Sequence, residues 1–136
     1  VNEDSLSSRP TASNFVLLWH ELPASSPRRS HFDLMLEDSG QLRTWAIQRI
    51  PSPGESVQGL GLPPHRIAYL DLEGEISGGR GSVRRIDRGT YTIIESSDEQ
   101  LSIEICGDQL TGQLRFRATE SDQLWEISRV DALANL

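Results

Sequence analysis

His31-Phe32-Asp33-Leu34-Met35-Leu36-Glu37 reads as a single β-strand. Side chains alternate between the two faces of a strand. Phe32, Leu34 and Leu36 therefore share a face that seeks a core, and His31, Asp33 and Met35 share the opposite one. The same alternation recurs outward from this segment, at 14–20 (NFVLLWH), 41–48, 66–72, 82–87, 89–96, 99–106, 110–118 and 124–129. Turn signals separate these runs: DSG at 38–40, PSPGES at 51–56, SGGRG at 77–81, DRG at 87–89, SSDE at 96–99, GD at 107–108 and ESD at 120–122. Short strands at such regular spacing predict an all-β or nearly all-β chain, a compact antiparallel β-barrel with a short flanking helix or loops.

The length of 136 residues suits one domain with a real core. The polar start, VNEDSLSSRPTAS, predicts a flexible leader over 1–13, with the single domain spanning 14–136. Two prolines make 21–30 (ELPASSPRRS) a loop, and the closing VDALANL suits one turn of helix. No apolar run is long enough to span a membrane, and the start lacks a signal-peptide pattern. One cysteine, Cys106, forms no internal disulfide; it alternates with Ile103 and Ile105, which predicts a structural thiol and a reduced, cytoplasmic setting. A net charge of −7 disfavours broad coating of nucleic acid, which needs many phosphate contacts, but leaves room for a narrow site for one phosphate. Basic residues cluster at Arg28-Arg29 and from Arg80 to Arg88, where a solvated surface is the plain explanation.

Chemistry concentrates on the polar face of the 31–37 strand. Residues i and i+2 lie about 6.6 Å apart along a strand, so His31 and Asp33 can both reach one ion. A neutral nitrogen and a hard anionic oxygen make a sensible ligand pair. His20 closes the preceding apolar run, and antiparallel pairing of the two strands sets it beside His31. The pattern H-x-D is weak by itself, and a structural role for these histidines stands beside the metal site. A facial triad of His31, Asp33 and His65, as in non-haem iron oxygenases, also matches, although the chain is short for the double-stranded β-helix those enzymes use.

The ordered segments FVLLWH at 15–20, Arg28-Arg29, HFD at 31–33, Trp45-Ala46-Ile47 with Pro51, His65 four residues before Tyr69, Leu72-Glu73-Gly74, and Asp87-Arg88-Gly89-Thr90-Tyr91 run through most of the chain. Together they resemble the 3′-phosphoesterase module of bacterial DNA ligase D, here as a stand-alone, divergent member. The resemblance implies a β-barrel and a manganese-dependent activity on 3′ ends of DNA or RNA, removing a terminal ribonucleoside and then the 3′-phosphate. It implies His20, His31 and Asp33 as metal ligands, with Mn(2+) favoured and zinc or iron as other occupants of such a donor set. It also implies His65 and Tyr69 as catalytic contacts to the scissile phosphate, and Arg49 as a phosphate-binding residue in place of the family's lysine. Partners would be nucleic-acid 3′ ends or another phosphate ester, with a separate ligase, polymerase or end-joining protein, and no membrane.

Departures from the family pattern favour an alternative, a catalytically impaired metal-containing module that binds a phosphorylated end or a protein partner. The family carries an arginine where this chain has Met35, and methionine cannot fork onto phosphate. A second family arginine falls at Val57-Gln58. The 21–30 loop is longer than usual, the glycine-rich loop is shortened to Ser77–Gly81, and Arg80 stands there as a replacement charge.

Overall fold

The computed structural model describes residues 11–131. Nine strands follow in order: β1 (Ser13–Glu21), β2 (His31–Asp38), β3 (Gln41–Ile47), β4 (Ser56–Arg66), β5 (Gly74–Glu75), β6 (Ser82–Ser96), β7 (Gln100–Gly107), β8 (Thr111–Ala118) and β9 (Leu124–Arg129). A 3-10 turn, Ile67–Leu70, lies between β4 and β5. All pairings are antiparallel, in the order β1-β2-β3-β4-β9-β8-β7-β6-β5, and β1 also pairs with β6. That last pairing closes an eight-stranded barrel and leaves β5 as a short flap on β6. Closure removes the open sheet edges that a strand-rich chain otherwise exposes.

The period-two alternation sends one residue set into the barrel and the other outside. Phe15, Leu17, Leu34, Leu36, Trp45, Ile103, Leu114, Phe116 and Ile127 are among the buried side chains that fill the interior. Such a barrel is a packed core and not a channel. Gly59 on β4 makes that packing fit, because a Cβ there would lie 2.5 Å from Ile127 Cδ1. A second apolar cluster occupies part of the outer surface: Val16, Leu18, Met35, Leu42, Ile76 and Val83, covered by Tyr69, Leu70 and Leu72. The chain after β4 thus folds back over the outer faces of β1, β2, β3 and β6.

Several sequence expectations are corrected. The segment 66–72 is not a strand; Arg66 ends β4, and Ile67–Leu70 forms the 3-10 turn. β4 escaped prediction because it carries Gly59, Gly61, Pro63 and Pro64, residues that weaken strands. The two prolines sit where the register slips between Leu42↔His65 and Thr44↔Leu62, in keeping with the tolerance of bulges for proline. DRG at 87–89 is not a turn either, since β6 runs through it with a register shift opposite Leu17/Leu18. Asp87 is instead a buried anchor, whose carboxylate accepts hydrogen bonds from the backbone N–H groups of Arg88, Asp108, Gln109 and Leu110 at 2.7–3.0 Å. Cys106 is exposed on β7, not a core thiol. β1 starts at Ser13, inside the expected leader; residues 1–10 and most of the expected C-terminal helical turn lie outside the described residues. The turn at 38–40 forms as expected, with Ser39 and Gly40 at φ of 53° and 79° joining β2 to β3.

Candidate metal centre

β1 and β2 pair so that His20 stands opposite His31 and Leu18 opposite Asp33. His20, His31 and Asp33 all project from the outer surface of the barrel, at the end where the 21–30 loop leaves β1. His31 and Asp33 are each 2% exposed, and one ligand atom from each of the three residues lies within 4.8 Å of the others. His31 Nε2 is 3.1 Å from Asp33 Oδ1, and His20 Nδ1 is 3.4 Å from Asp33 Oδ2.

The remaining ring nitrogens decide what these atoms can do. His31 Nδ1 lies 2.8 Å from the Arg29 carbonyl oxygen, and His20 Nε2 lies 2.9 Å from the Arg80 carbonyl oxygen. A carbonyl only accepts, so each of these nitrogens carries the hydrogen and donates. In the neutral rings, His31 Nε2 and His20 Nδ1 are then lone pairs, both turned toward the Asp33 carboxylate. Backbone carbonyls orienting imidazoles in this way is the usual support of a metal-ligating histidine. His31 Nε2 and Asp33 Oδ1 are buried without any hydrogen-bond partner. Buried polar atoms normally find one, so two facing acceptors left unpaired fit a cation between them. Two imidazole nitrogens and one carboxylate oxygen, with further positions open, suit manganese, iron or zinc.

Burial pushes the Asp33 carboxyl up, but the adjoining imidazoles outweigh it and hold its pKa below the ordinary value. Contact with Asp33 raises the His20 pKa; burial opposes, the Arg80 carbonyl assists, and the Arg28 charge opposes weakly.

The other expected site residues form separate groups. His65 and Tyr69 do come together, their rings perpendicular with centroids 5.2 Å apart. His65 is near the end of β4 and not in a loop, and its Nδ1 donates to the Pro63 carbonyl at 3.0 Å. That leaves Nε2 as the nitrogen available to exchange a proton. Tyr69 packs on the second cluster, which contains Leu18 and Met35, so it shares the outer face with Asp33. Among the described residues the three-ligand cluster is completed by His20, not His65, so the oxygenase-type triad does not form. The Arg49 guanidinium is engaged by Glu55. Arg80 folds onto its own turn, donating to the Ser77 carbonyl at 2.8 Å and the Ser77 hydroxyl at 3.3 Å. What Arg80 brings to the site is its carbonyl, which no side-chain pattern announces. Met35 is completely buried in the second cluster.

With this geometry in view, similarity to known proteins is specific. Residues 24–117 match the DNA Ligase D 3′-phosphoesterase domain. The chain belongs to that family. The match includes His31, Asp33, His65 and Tyr69 and begins after His20. The multifunctional non-homologous end joining protein LigD of Pseudomonas aeruginosa is 30% identical over 115 residues, covering 77% of this chain and 14% of the relative. Its counterparts in Mycobacterium bovis and Mycobacterium tuberculosis are 29% identical over 105 residues, covering 71% of this chain and 14% of each relative. The chain thus corresponds to a small part of each of these LigD proteins. The resemblance in the sequence and the closed antiparallel barrel are both borne out. Among the described residues no helix is long and apolar enough to cross a membrane.

Proposed function

We propose that this 3′-phosphoesterase-family domain is a metal-dependent phosphoesterase acting on 3′ ends of nucleic acid, removing a terminal ribonucleoside or a 3′-phosphate. The observation that carries the proposal is the convergence of His20 Nδ1, His31 Nε2 and the Asp33 carboxylate, each histidine fixed from behind by a carbonyl. When bound, a divalent ion, Mn(2+) in first place, would supply a Lewis acid for a phosphoryl oxygen and lower the pKa of a coordinated water. The chain's own residues do the rest. His20, His31 and Asp33 hold their donor atoms in place without having to reorganise. His65, anchored through Nδ1–H, presents Nε2 to take or give a proton at the phosphate, and the Tyr69 hydroxyl beside it donates to developing negative charge. The end-joining role named for the LigD relatives supports nucleic-acid ends as the substrate.

A second reading, a module that binds phosphorylated ends without turnover, draws support from Met35, sealed in apolar packing, and from Arg49, occupied by Glu55. One experiment separates them. Purified protein with manganese is offered a primer with a 3′-phosphate and one ending in a single ribonucleotide, beside His31→Ala and His65→Ala. Metal-dependent product lost in both variants establishes the phosphoesterase. Manganese binding with no product establishes the binding module.

A further inference from the structure

Three buried side-chain polar atoms among the described residues lack a hydrogen-bond partner: His31 Nε2, Asp33 Oδ1 and Arg85 Nε. The first two belong to the candidate metal centre. Arg85 lies opposite Leu18 across the β1–β6 pair, and Leu18 lies opposite Asp33 across β1–β2. Its neighbour two positions earlier, Val83, belongs to the second cluster, so Arg85 rises from the same outer face as Asp33. Their backbones are separated by two strand spacings, about 10 Å. An arginine side chain and a phosphate together are long enough to cover that distance over the buried Leu18, which lies between them on the face.

The charge of Arg85 is incompletely answered. Glu73, from the segment covering the second cluster, accepts the Arg85 backbone N–H at 3.0 Å. Its other oxygen is 3.8 Å from Arg85 Nη1, too far for a hydrogen bond. The Arg85 side chain is 25% exposed and that of Glu73 is 50% exposed, so the glutamate can swing into water while the arginine stays half-sunk. A guanidinium with a buried, unpaired N–H carries a desolvation cost that a well-placed oxyanion would remove. A phosphate group supplies several acceptor oxygens in the geometry a guanidinium fork matches.

We propose that Arg85 binds the substrate phosphate on this face, with Glu73 occupying Arg85 until phosphate arrives. The assignment rests on the phosphoesterase reading for its substrate and adds the residue that recognises the anion. It gives the face a cation where Met35 provides none and Arg49 is engaged elsewhere.

The test titrates inorganic phosphate into manganese-loaded protein by calorimetry, for the wild type, Arg85→Gln, Arg85→Lys and Glu73→Gln, with manganese affinity measured separately. The expected result is phosphate affinity about tenfold weaker in Arg85→Gln, partly rescued in Arg85→Lys and tighter in Glu73→Gln, with manganese affinity unchanged throughout. KM for the 3′-phosphate primer should follow phosphate affinity. Equal phosphate affinity in Arg85→Gln and wild type overturns the assignment, as does a parallel loss of manganese and phosphate binding, which marks a structural role. A wild type that binds phosphate through Arg85 yet turns over no primer sinks the phosphoesterase reading and leaves the Arg85 site standing. Turnover that persists in Arg85→Gln at unchanged KM sinks Arg85 alone.

Discussion

Replacing Met35 with arginine is the substitution the family resemblance invites, and the packing argues that this chain resists it. Met35 is wholly inaccessible, enclosed by Val16, Leu18, Leu42, Ile76 and Val83 under Tyr69, Leu70 and Leu72. Removing a buried methionine's apolar contacts costs about 2–5 kcal/mol, as in large-to-small core substitutions. The arginine stem recovers part of this, but a guanidinium in the same space adds a desolvation penalty of several kcal/mol. Relief requires lifting Leu70 and Leu72 so that the charge reaches water, which exposes their apolar surface instead. The net expectation for Met35→Arg is a loss of about 3 kcal/mol, a large share of the roughly 5–15 kcal/mol that holds a typical domain together. Met35→Leu, which keeps volume and polarity, should cost less than about 1.5 kcal/mol. Urea unfolding followed by tryptophan fluorescence measures both, with buried Trp45 as a reporter of the barrel interior. A Met35→Arg midpoint within about 1 kcal/mol of wild type would refute the packing argument, because the cover over the second cluster would then have to open freely.

Other outcomes follow from the same geometry. Asp87→Asn turns one carboxylate oxygen into an NH2 that faces two backbone N–H donors, either those of Arg88 and Asp108 or those of Gln109 and Leu110, and should destabilise by about 3 kcal/mol in urea unfolding while speeding amide exchange in the turn after β7. Gly81 has φ of +91° and a Cβ there would sit 2.0 Å from the Glu21 carbonyl oxygen, so Gly81→Ala should displace the neighbouring Arg80 carbonyl and weaken manganese binding about tenfold in calorimetry. Metal-free protein should lose stability at both pH extremes. The depressed pKa of Asp33 contributes stability that is present above the ordinary carboxylate range and lost as acid titrates the folded carboxyl. The raised pKa of His20 contributes stability that is full below its ordinary value of 6.5 and lost as pH rises through the folded value. Thermal unfolding across pH in wild type and His20→Gln tests this, since the variant should lose the alkaline decline contributed by His20.

The convergence of His20, His31 and Asp33 was legible because strand periodicity is two and antiparallel neighbours meet end to start. Those two facts put His31 and Asp33 on one face and His20 opposite His31. The face itself was read less well. Polar alternation suggested that Met35 shared an open surface with His31, whereas the segment after β4 returns to cover it. That return was hidden because glycines and prolines disguised β4, the strand whose end carries His65. Arg29 and Arg80 serve the histidines through backbone carbonyls, which every residue has, so no side-chain pattern could mark them. Asp87 looked like turn chemistry; its four N–H partners come from its own successor and from the turn after β7. Arg85 became noticeable only once an unpaired buried N–H could be set beside the register of three strands.

Manganese titration of the purified protein by calorimetry, with Asp33→Asn and His31→Ala alongside, probes the core of this account most directly. One ion per chain should bind to the wild type, releasing protons as pH falls toward the His20 range, and binding should vanish in both variants while their far-ultraviolet circular dichroism stays that of the barrel. Undiminished binding in folded Asp33→Asn and His31→Ala, or none in the wild type, would contradict it.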